Sequence, residues 1–313
     1  MRTYPAALPC CINRACSAMK GRVGYNPAYS TILSHFIDLT TMLDKHLVRM
    51  HFSANAGNYD LYAHVQKIMA SRLVEFANLR QDGSRSTVLD IGSGTGYLTE
   101  LLIKLFPSAH VTAVDIAPGM IELAQKKFGG HKINFRCADA EEMNLEENYD
   151  LIASNASLQW FNDTPLTLSK LYSVLTNKGM LCFSTFGRLT FSELHHSYNK
   201  AMQNLKLERH SAPGQSFYTL EELHEICSHI VYPHGELKCG EALEYMYFDS
   251  VKDFFTSVKK IGANNSNKDY IHKNPSLIKE LIDVYETDFR EGNKIKVTYH
   301  CLYFVLRKST GTG

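Results

Sequence analysis

The chain has 313 residues, of which 44% are hydrophobic and 21% charged, and its 33 lysines and arginines nearly balance 32 aspartates and glutamates. Such a balance excludes a chain-wide electrostatic drive toward nucleic acid or a membrane surface, and the apolar fraction is that of a globular protein with a sizeable core. No apolar run approaches the roughly 18 residues of a membrane span, and eight cysteines without a CxxC pair fit neither a structural zinc site nor a disulfide framework, which points to a cytoplasmic protein.

Residues 1–41 read as a disordered N-terminal extension. No acidic residue precedes Asp38, Arg2, Arg14, Lys20 and Arg22 are basic, and Pro5 and Pro9 interrupt any signal-peptide core. An organelle transit peptide shares this bias, and Met42 and Met50 are alternative starts, so one domain is expected over 42–313. Apolar residues at Tyr62, Val65, Ile68, Met69, Leu73 and Phe76 predict a helix between Tyr59 and Asn78. Strands are then expected at 87–91, 110–115, 133–138, 149–154 and 179–185, with helices at 97–106, 118–128 and 164–176 between them. Such alternation indicates βαβ units.

After Phe186 the rhythm changes. Two helices over 188–230, around the loop "SAPGQSF", read as a lid insertion of about 188–235 packed over the sheet edge. A strand near 241–248, helices at 250–261 and 276–290, and a strand at 296–306 complete the pattern. The fold expected is α/β: a Rossmann-like, seven-stranded, mostly parallel sheet with a helical lid insertion after the fifth strand.

Val88 to Glu100 reads "VLDIGSGTGYLTE", a strand, a tight turn and a helix start. Gly92, Gly94 and Gly96, with Ser93 between them, let the backbone approach a ligand at the carboxyl edge of the sheet. A dinucleotide turn requires GxGxxG, whereas Tyr97 follows Gly96 here, and no Gly-Lys-Ser/Thr completes a phosphate loop. Asp90 would repel phosphate and suits a cation. Asp115 ends the second strand, where an acidic side chain grips a ribose diol. Asp139, in "CADAEE", is positioned for an adenine amino group, and Asn155 follows the fourth strand in "SNASLQW"; Ile116, Met120 and Ala140 neighbour these positions. Either Asp115 or Asp139 alone reads as readily as a helix N-cap. As an ordered set at four strand ends, these residues describe S-adenosylmethionine better than a dinucleotide, and over roughly 85–186 the chain resembles the class I methyltransferases.

Asn155 is followed by Ala156 and Ser157, not by the prolines of an (N/D)PP(Y/F) motif, and the sole Pro-Cys, Pro9-Cys10, precedes the fold. Nucleic acid is therefore not the expected acceptor. "HFSANAGNYDLYAHVQKIMASRL", "SNASLQWFND", "LCFSTFGRLTFSELHHSYNKA", "GQSFYTLEELHEIC" and "VKKIGANNSN" together resemble the BioC family from about Met42 to Arg307. That family comprises malonyl-acyl-carrier-protein O-methyltransferases of biotin synthesis. The resemblance implies methyl transfer from S-adenosylmethionine to the malonyl carboxylate, giving S-adenosylhomocysteine and the methyl ester that primes pimeloyl synthesis. A carboxylate is already ionised at pH 7 and needs no general base.

By the same resemblance Tyr59 and Phe217 close over cofactor and substrate. Gln159, Trp160 and Arg188 are further candidates to orient the carboxylate, Arg188 as a bidentate donor, and core packing is the alternative role for the aromatic residues. An acidic carrier protein asks for a basic dock, with Lys200, Lys206 and Arg209 or Lys259 and Lys260 as candidates. Malonyl-coenzyme A is an alternative acceptor. His195, His196, His224, His229 and His234 recur without metal-ligand spacing, so no metal is expected. Two other readings share the core: a methyltransferase for a small free carboxylic acid, and a methyltransferase-like assembly factor without turnover.

Overall fold

The structure is a computed structural model that describes residues 42–80, 85–145, 148–208, 214–263 and 274–309. The expected extension over 1–41 and the candidate Arg209 lie outside them. Asp44 opens helix α1 (Lys45–Tyr62) by accepting hydrogen bonds from the N–H groups of His46 and Leu47 at 2.9 and 3.1 Å, which satisfies donors that a helix start leaves free. Helix α2 (His64–Phe76) follows after a break at Ala63, at φ −81° and ψ 44°. One helix was expected over 59–78 and two are found. The break falls on a buried alanine, the best of helix formers, so no residue in the pattern announces it.

The alternation expected next is present: β1 (Thr87–Ile91), α3 (Tyr97–Leu105), β2 (His110–Asp115), α4 (Pro118–Lys127), β3 (Ile133–Cys137), β4 (Tyr149–Asn155), α5 (Thr164–Ser173) and β5 (Leu175–Phe186). β5 begins at Leu175, four residues before the expected start, because Leu175 pairs with Tyr149 ahead of a register shift. The turn-like residues "TNKG" sit inside that irregularity. Helices α6 (Ser192–Asn204) and α7 (Leu220–Val231), strand β6 (Glu236–Phe248), helices α8 (Val251–Lys260) and α9 (Pro275–Asp288), the two-residue β7 (Arg290–Glu291) and β8 (Lys294–Arg307) complete the described chain.

The sheet runs β3-β2-β1-β4-β5-β8-β6, with β7 pairing on β8. β1 to β5 are mutually parallel, and β8 lies antiparallel between β5 and β6. The seven-stranded ladder therefore stands, with β7 as a short eighth strand at its rim. Chain order reverses at β1, which pairs with both β2 and β4, and the crevice outside that reversal is where open α/β sheets bind ligands.

Strands covered on both faces read as continuous apolar runs. Val88, Leu151, Cys182 and Tyr303 look toward α2, α3, α6 and α9, whereas Leu89, Ile152, Phe183 and Phe304 look toward α5 and α7. The two helices of 188–235 thus straddle the sheet. Leu194, Tyr198 and Met202 of α6 enter one core cluster, and Leu223, Ile226 and Cys227 of α7 enter the other. This differs from an insertion packed over one edge, because each helix has its own apolar face and satisfies it on the nearest free face of the sheet. Buried Glu193 fixes α6 to β8, accepting from the Thr298 N–H at 3.0 Å and from the Thr298 hydroxyl.

Candidate active site

The turn between β1 and α3 requires glycine at two places. Gly92 has φ +67°, and a Cβ there would fall 2.4 Å from Cβ of Ser157; Gly96 has φ +89°, and its Cβ would fall 2.4 Å from the Phe128 ring. Asp115 at the end of β2 locks the turn, its carboxylate accepting from the Gly94 and Ala117 N–H groups, both at 2.8 Å. One side chain thereby sets both the glycine turn and the start of α4. Burial pushes the Asp115 carboxyl up to about 6, against the two backbone hydrogen bonds that favour its charged form.

Around this turn lies a concave, partly open cavity at the carboxyl edge of the sheet. Gly92 and Gly94 form its floor beside Val114, Asp115 and Ile116, with Met120 from α4; Ala138, Asp139 and Ala140 follow β3; Asn155, Ala156 and Ser157 follow β4. Lys45, Val48, Phe52 and Tyr59 of α1 close it, joined by Trp160 and Phe161. The Phe52 and Trp160 rings meet edge to face at 5.2 Å. A Cβ on Gly94 would touch the Tyr59 ring at 3.9 Å. Burial, then the nearby Asp115 and Asp60 carboxylates, raise the Tyr59 phenol well above its ordinary value, so it stays a neutral donor.

Several sequence candidates sit elsewhere. Asp90 was expected beside the ligand, yet strand alternation turns it toward α3, beneath the turn and off the cavity wall. It is fully buried; Oδ2 accepts from the Thr99 hydroxyl at 2.6 Å, Oδ1 has no hydrogen-bond partner among the described residues, and burial pushes the carboxyl up to about 7. Ser93 and Gly96 support the turn without lining the cavity. Asn155 lines it, but its side chain is engaged with the Gln66 carbonyl at 2.9 Å and the Ser184 hydroxyl at 2.6 Å. Gln159 is turned away, donating to the Ala156 carbonyl at 2.7 Å and accepting from Thr185 at 3.1 Å.

Neither Arg188 nor Phe217 lines the cavity. Arg188 is exposed, with its N–H on the Tyr218 carbonyl at 3.2 Å, and Phe217 packs on Phe186 at 6.1 Å between centroids.

The sequence reading overlooked α1 upstream of Tyr59. Lys45, Val48, Phe52 and Tyr59 recur at helical spacing behind an Asp44 N-cap, a signal available in the pattern. Glu141 was overlooked too. It accepts from the Asn162 and Asp163 N–H groups at 2.9 and 2.7 Å and pairs with Lys45 at 2.5 Å.

The cavity's acidic groups, Asp115 and Asp139, disfavour phosphate, and Lys45 is already committed to Asp139 at 3.3 Å. Carboxylates near apolar Ile116, Ala138, Ala140 and Phe161 suit the hydroxyls, amino group and flat ring of a cationic nucleoside. Among the described residues no group of three or more histidine, cysteine, aspartate or glutamate side chains is arranged to hold a metal ion.

Residues 88–179 match the methyltransferase domain family model. The chain is 48% identical over 272 residues to the malonyl-[acyl-carrier protein] O-methyltransferase of Priestia megaterium, covering 86% of this chain and 99% of that one. It is 47% identical over 272 residues to the enzyme of the same name from Acetivibrio thermocellus, covering 85% and 95%. Among solved structures, the YcgJ protein of Bacillus subtilis shares the fold, with TM-score 0.53 and 15% identity over 78% of this chain and 99% of that one.

Proposed function

The chain belongs to the malonyl-[acyl-carrier protein] O-methyltransferase family, and from that premise we infer that it transfers a methyl group from S-adenosylmethionine to the free carboxylate of malonyl-acyl-carrier protein. The products are S-adenosylhomocysteine and the malonyl methyl ester, whose masked charge lets it prime pimeloyl synthesis for biotin. The observation that carries the reading is the cavity at the chain reversal, where Asp115 and Asp139 flank a glycine turn beneath an aromatic roof.

We assign Asp115 to the ribose diol and Asp139 to the adenine amino group, with Ile116, Met120, Ala138 and Ala140 against the ring. When bound, the cofactor supplies an electrophilic methyl on a sulfonium. The acceptor carboxylate is already ionised, so the protein has no proton to remove, and its work is alignment and exclusion of water; positioning of this kind supplies about 7–11 kcal/mol. Tyr59, a neutral phenol, donates a hydrogen bond that orients the entering carboxylate without neutralising it. Phe52 and Trp160 keep the reacting end dry. Arg188 and Phe217 lie off the cavity wall, and we give them no contact with the reacting groups.

For the carrier protein we favour the dock on α8. Lys259 and Lys260 have no acidic partner among the described residues, whereas Lys200 is already paired with Asp288 at 2.7 Å. Gly262, just past α8, packs against His51 and Phe52 of the cavity roof, its Cβ position 2.9 Å from the His51 carbonyl oxygen. A cytoplasmic enzyme with no membrane or nucleic-acid partner fits this chemistry, and no described helix is long and apolar enough to cross a membrane.

The test is to incubate the purified protein with S-adenosylmethionine and malonyl-acyl-carrier protein and weigh the intact carrier. A gain of one methylene, removed by alkaline ester cleavage, is expected. An unchanged carrier alongside measurable donor binding would reject the acceptor while keeping the cofactor. The same assay with malonyl-coenzyme A decides between the two thioesters.

A further inference from the structure

Resting on the cofactor reading above, we propose that Lys45 is a positioning residue: from the first turn of α1 it latches the roof of the cavity down onto the adenine end of the site, and the latch sets how long the cofactor stays bound.

The geometry begins with helical spacing. Lys45, Val48, Phe52 and Tyr59 all line the cavity, so α1 covers it along most of the helix. At its middle the helix is held by backbone approach: a Cβ on Gly119 would meet the Ser53 carbonyl oxygen at 2.6 Å, and the Gly119 N–H donates to the Ser53 hydroxyl at 3.3 Å. The near end is held differently. Lys45 Nζ sits 3.3 Å from Asp139 Oδ2, 3.4 Å from Asp139 Oδ1 and 2.5 Å from Glu141 Oε2. Beside it the Asn162 amide pairs with both backbone groups of Leu43, accepting from N–H at 2.8 Å and donating to the carbonyl at 3.2 Å.

Glu141 is itself fixed by the Asn162 and Asp163 N–H groups, so one ammonium ties three segments together: the start of α1, the loop after β3 and the loop before α5. These contacts are polar and only partly buried, with 23% of the Lys45 side chain exposed. The middle of α1, by contrast, rests on close backbone packing against Gly119 and Gly262, and its last turn is tied down where Asp60 accepts from the Thr95 hydroxyl at 2.8 Å. A helix packed at its middle and held at its first turn by a partly exposed ammonium opens at that first turn, where salt screens the interaction. Asp139 keeps free lone pairs while bonded to Lys45, because an ionised carboxylate offers about four acceptor sites. The latch and the adenine amino group are therefore able to share it. Lys45 would act through Asp139 and through α1, touching no reacting atom.

Trp160 supplies a reporter that does not depend on turnover. It is the sole tryptophan of the chain, lines the cavity, and meets Phe52 of α1 edge to face. The experiment compares wild type, Lys45→Met and Lys45→Arg by Trp160 fluorescence, with stopped-flow displacement of S-adenosylhomocysteine and thermal denaturation as the check on folding. Lys45→Met is expected to release the ligand about tenfold faster, to red-shift Trp160 emission and to increase its acrylamide quenching without ligand, with the unfolding midpoint held. Wild-type release is expected to quicken with added salt and Lys45→Met release to be insensitive to it, while Lys45→Arg restores both the slow release and the salt dependence. Release and salt response in Lys45→Met equal to wild type overturn the latch and leave the cofactor reading intact. If wild type binds neither S-adenosylmethionine nor S-adenosylhomocysteine, both fall together.

Discussion

Asp90 and Asp115 stand near the carboxyl ends of neighbouring strands, Asp115 two residues beyond the partner of Asp90, and carry opposite duties. Asp115 reaches the cavity and Asp90 is sealed beneath it, and burial raises both carboxyls. A carboxyl whose folded-state value lies above its ordinary one favours folding at low pH and loses that contribution as pH rises through the folded value. For Asp90 the window runs from about 4 to about 7, at roughly 1.4 kcal/mol per pH unit. Asp90→Asn should therefore flatten the stability of the ligand-free protein over that window, measured by urea unfolding at several pH values; an unchanged pH profile would place its titration elsewhere.

Asp115 gives a complementary expectation. If the ribose assignment holds, its ionised form accepts from the diol, so affinity for S-adenosylhomocysteine should fall as pH drops below about 6, and Asp115→Ala should weaken binding at least about tenfold at pH 8. Calorimetry across pH reads both effects, and equal affinity in the variant refutes the ribose assignment. Tyr59→Phe removes one hydroxyl and no ring contact. It should lower kcat while cofactor affinity stays within about twofold, each hydrogen bond being worth about 0.5–1.5 kcal/mol; an unaltered kcat returns Tyr59 to packing.

The identity of these residues was legible in the sequence, but their orientation was not. Asp90 and Asp115 follow equally apolar runs, and only the pleat of β1 beside α3 decides that one faces Thr99 and the other the turn. The glycines were legible because the conformations that they adopt are those other residues avoid.

At the scale of elements, the helix that covers the cavity is the piece least visible beforehand. α1 carries few charges arranged to mark its inner face, and its apolar residues Val48, Phe52 and Tyr59 are spread over three turns. Its seating depends on Gly119 at the first turn of α4. Gly119→Ala would drive a methyl into the Ser53 carbonyl and lift α1, an overpacking cost of about 1–3 kcal/mol that should appear as weaker cofactor binding although residue 119 is off the cavity wall. Unchanged affinity would mean that the helix tolerates displacement. The dock on α8 makes a prediction of another kind: reversing Lys259 and Lys260 to glutamate should raise KM for the carrier protein severalfold and leave the affinity for S-adenosylhomocysteine untouched. A KM unaffected by both reversals rules that face out.

At the scale of the whole molecule, the positions of the central strands and their parallel character were legible because each is a short apolar run between turn residues, and parallel pairing follows from the intervening helices. What escaped was long-range. The straddling of the sheet by α6 and α7, the register shift that starts β5 at Leu175, and the union of Leu43 with Asn162 each depend on residues far apart in sequence, where local periodicity carries no information.

That union orders events during synthesis. α1 leaves the ribosome among the first parts of the domain, but Gly119, Asp139, Glu141 and Asn162 emerge later, and Gly262, whose backbone presses on His51 and Phe52, emerges last of all. Roughly 200 residues separate the end of α1 from that final contact, which at about 5–20 residues per second is some tens of seconds of translation. For the first half of that interval, until Trp160 and Phe161 are made, Val48, Phe52 and Tyr59 lack the full set of residues that share the cavity with them. A nascent chain therefore lacks the complete lining of its cavity until about half of the polypeptide has been made, and the apolar side of its first helix is the surface that a chaperone would meet earliest.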